Sequence, residues 1–241
     1  MISTPSPKQS DSSVGKNATF FRDNLEEYSS HIEALDTYRN IREFTNEALL
    51  GIDRLLDIGN GGTFDYDVGL VRELVALDLF LEELPDGAFP SNVRPRNGSA
   101  LAVPEPAESF DGVILSMLIH HLVGKNIEES IANVRVAIAE AFRVLKPGGK
   151  LIIIESCIPA WFYTFEKALF PLASKVIEHL LDHPLTLQYP PAMILNILKK
   201  HATEVECNAI PVGKWVLQYG FKFPTALTPV TPYRFVVQKR P

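Results

Sequence analysis

The chain has 241 residues, 46% of them hydrophobic, and a formal net charge of −6. This length and apolar share indicate one globular domain with a substantial core. The acidic balance, without a basic stripe interleaved with aromatic residues, argues against a nucleic-acid partner, because phosphate binding requires concentrated positive charge. Cys157 and Cys207 lie far apart without CxxC neighbours, which argues against a disulfide framework or a structural zinc site.

The N-terminal segment, residues 1–17, is rich in Ser, Pro and Lys and lacks the apolar core of a signal peptide. It is predicted to be a disordered tail, followed by a single domain over residues 18–241. No apolar run approaches the length of a membrane span, so a reducing cytoplasm is the expected location.

Helical spacing in Phe20–Ser29 and Ile32–Leu50 predicts an N-terminal helical cover over residues 18–50. Beyond it, apolar runs alternate with helical patterns, which is typical of a doubly wound α/β fold. Strands are predicted at 55–58, 75–78, 93–97, 112–116, 151–155, 203–211 and 233–239. Helices are predicted within 64–72, over 127–144, over 160–181 and over 190–201, and an ordered loop over 215–231.

Three glycines follow the first predicted strand within four positions, in Leu55-Leu56-Asp57-Ile58-Gly59-Asn60-Gly61-Gly62-Thr63. Glycine suits a turn where a ligand touches bare backbone, because it lacks a Cβ atom and adopts positive φ. The next helix is expected to direct its N-terminal N–H groups at that ligand. A dinucleotide-binding turn requires G-x-G-x-x-G, but Phe64 occupies the third glycine position.

Acidic residues end the first two predicted strands. Asp57 would repel a pyrophosphate but would receive an ammonium group, and S-adenosylmethionine carries an amino-acid head and no phosphate. Asp78 ends the second strand about 20 residues beyond the turn, where a carboxylate accepts both hydroxyl groups of a ribose. The pair of acids therefore favours S-adenosylmethionine as the cofactor.

With these features the chain resembles the class I S-adenosylmethionine-dependent methyltransferases, in particular the small-molecule type 11 group. The matching segments share that family's order and spacing: 55–63, the strand that ends at Asp78, 98–101, 110–116 and 145–151. The resemblance implies a seven-stranded, mostly parallel, Rossmann-like sheet with a late antiparallel hairpin. It also implies that residues 156–200 contain a substrate-binding insert.

The resemblance further implies a set of cofactor contacts. Asp57 would bind the methionine ammonium group, and the turn Gly59, Asn60 and Gly61 would pass under the carboxylate and ribose. Asp78 would hold the ribose hydroxyls. The adenine would lie between Leu79 on one side and Ser99, Ala100 and Leu101 on the other, while Ser116 and Met117 would contact the methionine part. Many relatives have an acid where this chain has Ser99, whose hydroxyl accepts a hydrogen bond without charge assistance.

Two histidines, His120 and His121, follow the fourth predicted strand, at the sheet edge where open α/β folds bind ligands. Imidazole titrates near neutral pH, so either ring is a candidate base for removing a proton as a hydroxyl attacks the methyl group. His120 aligns with the catalytic histidine of the plant-type O-methyltransferases, although many type 11 relatives carry such a pair without that role. Packing beside the cofactor is the alternative, and no carboxylate at useful spacing supports a metal site.

Aromatic residues flank the expected cleft: Phe20, Phe21, Tyr28, Trp161, Phe162, Tyr163 and Phe165. They would close over an aromatic or apolar small-molecule acceptor and exclude water. Tyr28 is also a catalytic candidate, since the cover would bring it within reach of the cofactor. Packing of two amphipathic helices is the alternative for each ring. The long apolar helix from Ala160 is a candidate for a homodimer contact or a membrane-surface contact.

These features predict methyl transfer to a small-molecule acceptor, with O-methylation slightly favoured by His120 and N- or C-methylation left open. One alternative is another enzyme on the same scaffold, such as an aminopropyl transferase or a nicotinamide oxidoreductase. The other is a non-catalytic binding or scaffolding protein, which is favoured by Ser99 and by Thr63 at the last motif position.

Overall fold

The computed structural model describes residues 36–79, 81, 87–168, 186–218 and 221–240. The predicted tail, the first cover helix and the candidate Tyr28 lie outside these residues. So do Phe20 and Phe21 and the part of the helix predicted over 160–181 that follows residue 168.

Nine strands are present in the described part of the chain. They are β1 (Arg54–Ile58), β2 (Glu73–Asp78), β3 (Val93–Asn97), β4 (Phe110–Ser116), β5 (Leu145–Cys157), β6 (Glu206–Ala209), β7 (Trp215–Gln218), β8 (Phe221–Pro224) and β9 (Thr231–Gln238). Seven of them form one sheet in the order β3-β2-β1-β4-β5-β9-β6. Strands β1 to β5 pair in parallel, and β9 runs antiparallel to both β5 and β6. The predicted α/β class with a seven-stranded, mostly parallel sheet is confirmed.

Helices cover both faces of the sheet. They are α1 (Asp36–Leu49), α2 (Ile127–Val144) and α3 (Pro191–Leu198), with a further helical segment over residues 160–168. One face packs its apolar residues with Ile41 and Leu49 of α1, and the other packs with Ile138 and Ala141 of α2. Because both faces are buried, the central strands are continuous apolar runs rather than alternating ones.

Helix α2 has the bounds that the sequence predicted. It begins after Asn126, whose side-chain Oδ1 accepts a hydrogen bond from the backbone N–H of Glu129 at 2.9 Å. The Glu129 carboxylate in turn accepts from the backbone N–H of Lys125 at 2.9 Å. These side chains satisfy N–H groups that the first turn of a helix leaves unpaired.

The short helix predicted within 64–72 is present only as a 3-10 helix of three residues, Val68–Leu70. The Asp67 side chain accepts from the Gly69 N–H at 2.9 Å, and the Tyr66 hydroxyl donates to Asp57 at 2.6 Å. These local bonds, with a glycine at the centre, compete with helix formation. The prediction that a helix N-terminus lies directly above the glycine turn is therefore wrong.

The ordered loop predicted over 215–231 is also wrong, since it contains the antiparallel hairpin of β7 and β8. Trp, Val and Phe in this stretch favour extended structure. Pro224 pairs at the end of the ladder, where its missing N–H costs least. Several strands start earlier than predicted, and β5 already begins at Leu145, directly after α2.

Candidate active site

The glycine turn joins the ends of β1 and β2. The N–H of Gly59 donates to the carbonyl of Leu77 at 2.7 Å. The N–H of Gly61 donates to the Asp78 carboxylate at 2.9 Å. Both glycines have positive φ, 76° and 64°. A Cβ atom on Gly59 would lie 2.4 Å from Leu118, whereas one on Gly61 would meet nothing within 4 Å. The turn is therefore packed beneath Gly59 and open beside Gly61.

Asp57 lies under this turn and is only 2% exposed. Its Oδ2 accepts hydrogen bonds from Asn60 Nδ2 at 2.7 Å and from the Tyr66 hydroxyl at 2.6 Å. Its Oδ1 is buried without a hydrogen-bond partner in the described residues. Burial raises the pKa of this carboxyl to about 7. A cationic donor at Oδ1 would favour the ionised form.

Asn60 holds the backbone of the turn in addition to the Asp57 carboxylate. Its Nδ2 also donates to the carbonyl of Thr63 at 2.7 Å, and its Oδ1 accepts from the N–H of Gly62 at 3.0 Å. Tyr66 is a residue that the sequence analysis missed. It is recognisable only from its contact with Asp57, because no motif spacing marks it.

Asp78 ends β2 beside the turn. Its Oδ1 accepts from the backbone N–H of Leu79 at 2.6 Å, in addition to the bond between Oδ2 and Gly61. Burial raises the pKa of Asp78, and the two backbone donors oppose that shift. The N–H of Gly98 donates to the Asp78 carbonyl at 2.8 Å, which brings the segment of Ser99 next to the end of β2.

The predicted adenine-lining residues form a short turn after β3. Ser99 forms an isolated bridge with Ala102, and its hydroxyl oxygen accepts from the N–H of Leu101 at 3.2 Å. Ala100 and Leu101 are half-buried against the core. The Ser99 hydroxyl thus already has one local partner, and its role towards a cofactor stays a prediction.

The end of β4 adopts an uncommon backbone conformation. Met117 has φ 51°, a value that residues other than glycine rarely take. Its N–H donates to the carbonyl of Ile154 at 2.8 Å, and its Sδ accepts from the Ser156 hydroxyl at 3.4 Å. The Ser116 hydroxyl is buried without a partner in the described residues. Backbone strain and an unpaired polar atom thus occur together at this strand end, a combination that is common at functional sites.

His120 pairs with a carboxylate that the sequence analysis missed. Its Nδ1 lies 2.5 Å from Glu155 Oε1, and Glu155, near the end of β5, is 1% exposed. Glu155 also accepts from the backbone N–H groups of Ile119 at 2.7 Å and Ser156 at 2.8 Å. Two backbone N–H groups thus hold the Glu155 carboxylate, and the carboxylate in turn fixes the position of the imidazole. The rule that selected Asp57 and Asp78, an acid near the end of a buried strand, would also have selected Glu155.

The structure therefore brings most of the predicted site together. The turn residues, Asp57, Asp78, Ser116, Met117 and the histidines lie along the carboxyl ends of β1, β2, β4 and β5, and the His120 and His121 ring centroids are 4.1 Å apart. No group of three or more His, Cys, Asp or Glu side chains in the described residues is arranged to hold a metal ion. Within the same residues, no helix is sufficiently long and apolar to cross a membrane.

The methyltransferase domain family matches residues 56–153, which contain the glycine turn and both strand-end acids. This match covers less than half of the chain, and these residues resemble a methyltransferase domain of this family. The resemblance to type 11-like, class I S-adenosylmethionine-dependent methyltransferases is thus confirmed, and S-adenosylmethionine is the cofactor that agrees with it.

Among curated proteins, the chain is 27% identical over 137 residues to the ubiquinone/menaquinone biosynthesis C-methyltransferase UbiE of Vibrio vulnificus, covering 52% of this chain and 46% of that protein. It spans about half the length of the curated UbiE relatives it matches.

Two solved structures show the fold. One is the 1,6-didemethyltoxoflavin-N1-methyltransferase of Burkholderia thailandensis with bound S-adenosylhomocysteine. Its TM-score is 0.61 at 13% identity, and the match covers 100% of this chain and 94% of that protein. The N-methyltransferase NodS of Bradyrhizobium japonicum, in complex with S-adenosylhomocysteine, has a TM-score of 0.55 at 14% identity. The match covers 87% of this chain and 90% of NodS.

Proposed function

We propose that the chain is an enzyme that transfers a methyl group from S-adenosylmethionine to a hydroxyl group of a small-molecule acceptor. The observation that carries the proposal is the His120–Glu155 pair, 2.5 Å apart, next to the end of β4. A residue that removes a proton is needed for a hydroxyl acceptor, which is a poor nucleophile until it is deprotonated.

The residues at the glycine turn fit the cofactor. The buried Oδ1 of Asp57 lacks a donor, which an ammonium group would supply. The space beside Gly61 is open, and Asp78 lies against it with both oxygens oriented by backbone N–H groups. When bound, S-adenosylmethionine supplies a methyl group made electrophilic by its positively charged sulfur.

The His120–Glu155 pair sets the direction of proton transfer. Glu155 accepts the Nδ1 proton of His120, which leaves Nε2 as the proton acceptor of the ring. The acceptor hydroxyl gives its proton to Nε2 while its oxygen forms the bond to the methyl carbon. The bound cofactor would supply the methyl group and keep the electron pair of the broken carbon–sulfur bond on its sulfur. Glu155 stabilises the imidazolium that results.

C-methylation is the second candidate, and the likeness to a protein named as a C-methyltransferase favours it. The same base would serve, because deprotonating a phenol raises the electron density at the neighbouring ring carbons. The carbon that receives the methyl group must afterwards lose its own proton. Mass and NMR analysis of the product distinguishes a methyl ether from a methylated ring.

The cofactor assignment is tested by calorimetry with S-adenosylhomocysteine. We expect Asp57→Asn and Asp78→Asn each to weaken binding about 10- to 100-fold, because each removes a hydrogen bond to a charged group. Asp53→Asn is the matched control, since Asp53 is an exposed acid just before β1 that pairs with Arg72. Wild-type affinity in both site variants would contradict the assignment.

The base is tested by turnover with a panel of phenols. We expect His120→Gln to lower kcat about 100-fold or more, in the range of general-base catalysis, with little change in cofactor affinity. Methylation at the wild-type rate in this variant would exclude His120 as the base. The absence of turnover with any phenol, sugar or amine, despite tight cofactor binding, would favour the scaffolding alternative.

A further inference from the structure

Tyr66 holds the Asp57 carboxylate and has no part in the proposed proton transfer. Its hydroxyl donates to Asp57 Oδ2 at 2.6 Å, and Tyr66 is only 3% exposed. Burial and the neighbouring Asp57 carboxylate raise the pKa of this hydroxyl. Tyr66 therefore keeps its proton, and donates, throughout the pH range in which Asp57 titrates.

The connection after the glycine turn brings the Tyr66 ring back against β1 and α1. The ring packs edge-to-face against Phe64, with 5.7 Å between the centroids, and belongs to the buried cluster that contains Ile41 and Leu49 of α1. Phe64 packs in turn against Phe89 at 6.2 Å. Packing on the ring thus fixes the direction in which the hydroxyl points.

Asp57 connects Tyr66 to the backbone of the glycine turn. The Oδ2 atom that accepts from Tyr66 also accepts from Asn60 Nδ2 at 2.7 Å. Asn60 binds the turn at two points, the carbonyl of Thr63 at 2.7 Å and the N–H of Gly62 at 3.0 Å. A continuous chain of hydrogen bonds therefore runs from the Tyr66 hydroxyl to the backbone that the cofactor would contact.

The charge on Asp57 depends on this hydrogen bond. Burial raises the pKa of Asp57 to about 7, and the facing carboxylates of Asp65 and Asp78 contribute to the rise. Arg42 on α1 lies near Asp65 and acts to lower the pKa of Asp65. The hydrogen bond from Tyr66 acts to lower the pKa of Asp57, because it stabilises the ionised carboxylate.

We propose that Tyr66 is a positioning residue for the cofactor, which acts through Asp57 and Asn60 on the glycine turn. Its hydroxyl keeps the Asp57 carboxylate ionised and holds it where Asn60 can donate to it. The inference rests on the proposed function, because it takes the ammonium group of the cofactor as the ligand of Asp57. Tyr66 would thus control cofactor affinity without touching the cofactor.

Calorimetry with S-adenosylhomocysteine on the full chain tests this role at two pH values. At pH 6.5 we expect Tyr66→Phe to weaken binding about tenfold, which is the value of one hydrogen bond to a charged group. At pH 8.5 the loss should be smaller by about threefold or more, because Asp57 is then ionised in more of the variant as well. The amine of the ligand titrates identically in both experiments and does not affect the comparison.

The same substitution in the Asp57→Asn background tests whether Tyr66 acts through Asp57. In that background Tyr66→Phe should weaken binding by less than about twofold, because no charge is left for the hydroxyl to stabilise. Such a non-additive result is expected of two residues in contact.

Asn92→Ala is the matched structural control. Asn92 donates to the carbonyls of Val68 at 2.8 Å and Val71 at 3.1 Å. The substitution loosens the connection that carries Tyr66 but leaves the bond from Tyr66 to Asp57 in place. We expect affinity within about twofold of the wild type at both pH values.

Wild-type affinity in Tyr66→Phe, an equal loss at both pH values, an undiminished loss in the Asp57→Asn background or the same loss in Asn92→Ala would each overturn the inference. A Tyr66→Phe protein that does not fold would also overturn it, because the hydroxyl would then be a structural requirement. In each case the proposed function stands if Asp57→Asn weakens binding of S-adenosylhomocysteine. Wild-type affinity in both Asp57→Asn and Asp78→Asn would instead contradict the proposed function.

Discussion

Asp57 combines two requirements that conflict in the ligand-free protein. Its position under the glycine turn suits a cation, but burial without one disfavours the charged form and raises its pKa to about 7. Tyr66 and Asn60 donate to one oxygen only and reduce this cost without removing it. Under the proposed function, a site that binds a cation at Asp57 thus lowers the stability of the ligand-free protein.

Asp57 makes the stability of the ligand-free protein depend on pH. Between the ordinary pKa near 3.8 and about 7, the folded protein holds this proton more tightly than the unfolded chain. The free energy of unfolding should therefore fall as pH rises through this window, by at most about 1.4 kcal/mol per pH unit from this group.

Urea unfolding of the wild type and of Asp57→Asn at pH 5 and pH 7 measures this contribution. We expect the wild type to lose more stability than the variant over this range. Asp78, whose pKa is also raised, contributes in the same direction in both proteins. Equal pH dependence in the two proteins would show that Asp57 is not the titrating group.

Glu155→Gln tests whether the buried carboxylate supports the base. The substitution keeps the shape but turns one of the two acceptor oxygens into a donor, against three groups that donate to Glu155. We expect the free energy of unfolding to fall by about 1–3 kcal/mol and kcat to fall about 10- to 100-fold.

A purely structural effect would lower the rates for all acceptors equally. We expect the loss to be smaller for a nitrophenol, which is already ionised at the assay pH and needs no base. Glu204→Gln is the control, because Glu204 is an exposed acid away from the site. Equal losses for neutral and ionised phenols would assign Glu155 a structural role.

At the scale of elements, the glycine turn is held by its contact with the turn after β4. Gly59 has φ 76°, and its missing side chain leaves room for Leu118. The 3-10 turn that follows Leu118, Ile119–His121, carries the candidate base. Packing between the two turns therefore couples the cofactor turn to the position of His120.

Gly59→Ala should lower the free energy of unfolding by roughly 2–4 kcal/mol, from backbone strain and from the clash with Leu118. Gly51→Ala is the matched control, since Gly51 has φ 80° with nothing within 4 Å of an added Cβ atom. Gly51→Ala should lower the free energy of unfolding only through backbone strain, by about 1–2 kcal/mol. Chemical denaturation measures both.

The double variant Gly59→Ala with Leu118→Ala separates the two causes. Removing the Leu118 side chain should make the Gly59→Ala change cost no more than Gly51→Ala costs, which is a non-additive result for two residues in contact. Additive losses would mean that Leu118 moves aside at no cost and that the turns are not coupled in this way.

At the scale of the molecule, one buried arginine connects the last strands to the first described helix. Arg234 on β9 donates to the carbonyl of Phe44 at 3.0 Å and to Glu47 at 2.6 Å, both on α1. It also donates to Glu206 on β6 at 2.6 Å. This link holds helix α1 against the antiparallel edge of the sheet.

Arg234→Met should lower the free energy of unfolding by about 1–3 kcal/mol, because the carbonyl of Phe44 and the carboxylates of Glu47 and Glu206 lose a donor. It should also speed amide hydrogen exchange in α1 more than in α2. Arg39→Met is the control, since Arg39 forms an exposed pair with Asp36 on the same helix and should change stability by less than about 0.5 kcal/mol. Unchanged exchange in α1 would refute the link.

The sequence by itself determined where the parallel strands lie along the chain, the bounds of α2 and the position of the glycine turn. These are local properties, because a strand buried on both faces is an apolar run and a helix is marked by its cap. The family resemblance added the late antiparallel strand. Asp57 and Asp78 could be identified in the same way, because each lies at the end of an apolar run in the sequence.

Only the tertiary structure decided which side chains meet. Glu155 and His120 are 35 residues apart, and their contact depends on β4 and β5 lying side by side. The contact of Tyr66 with Asp57 on β1 also favours a 3-10 turn over a longer helix after the glycines. Burial, unpaired atoms and pKa shifts depend on neighbours from distant segments, so spacing along the chain could not reveal them.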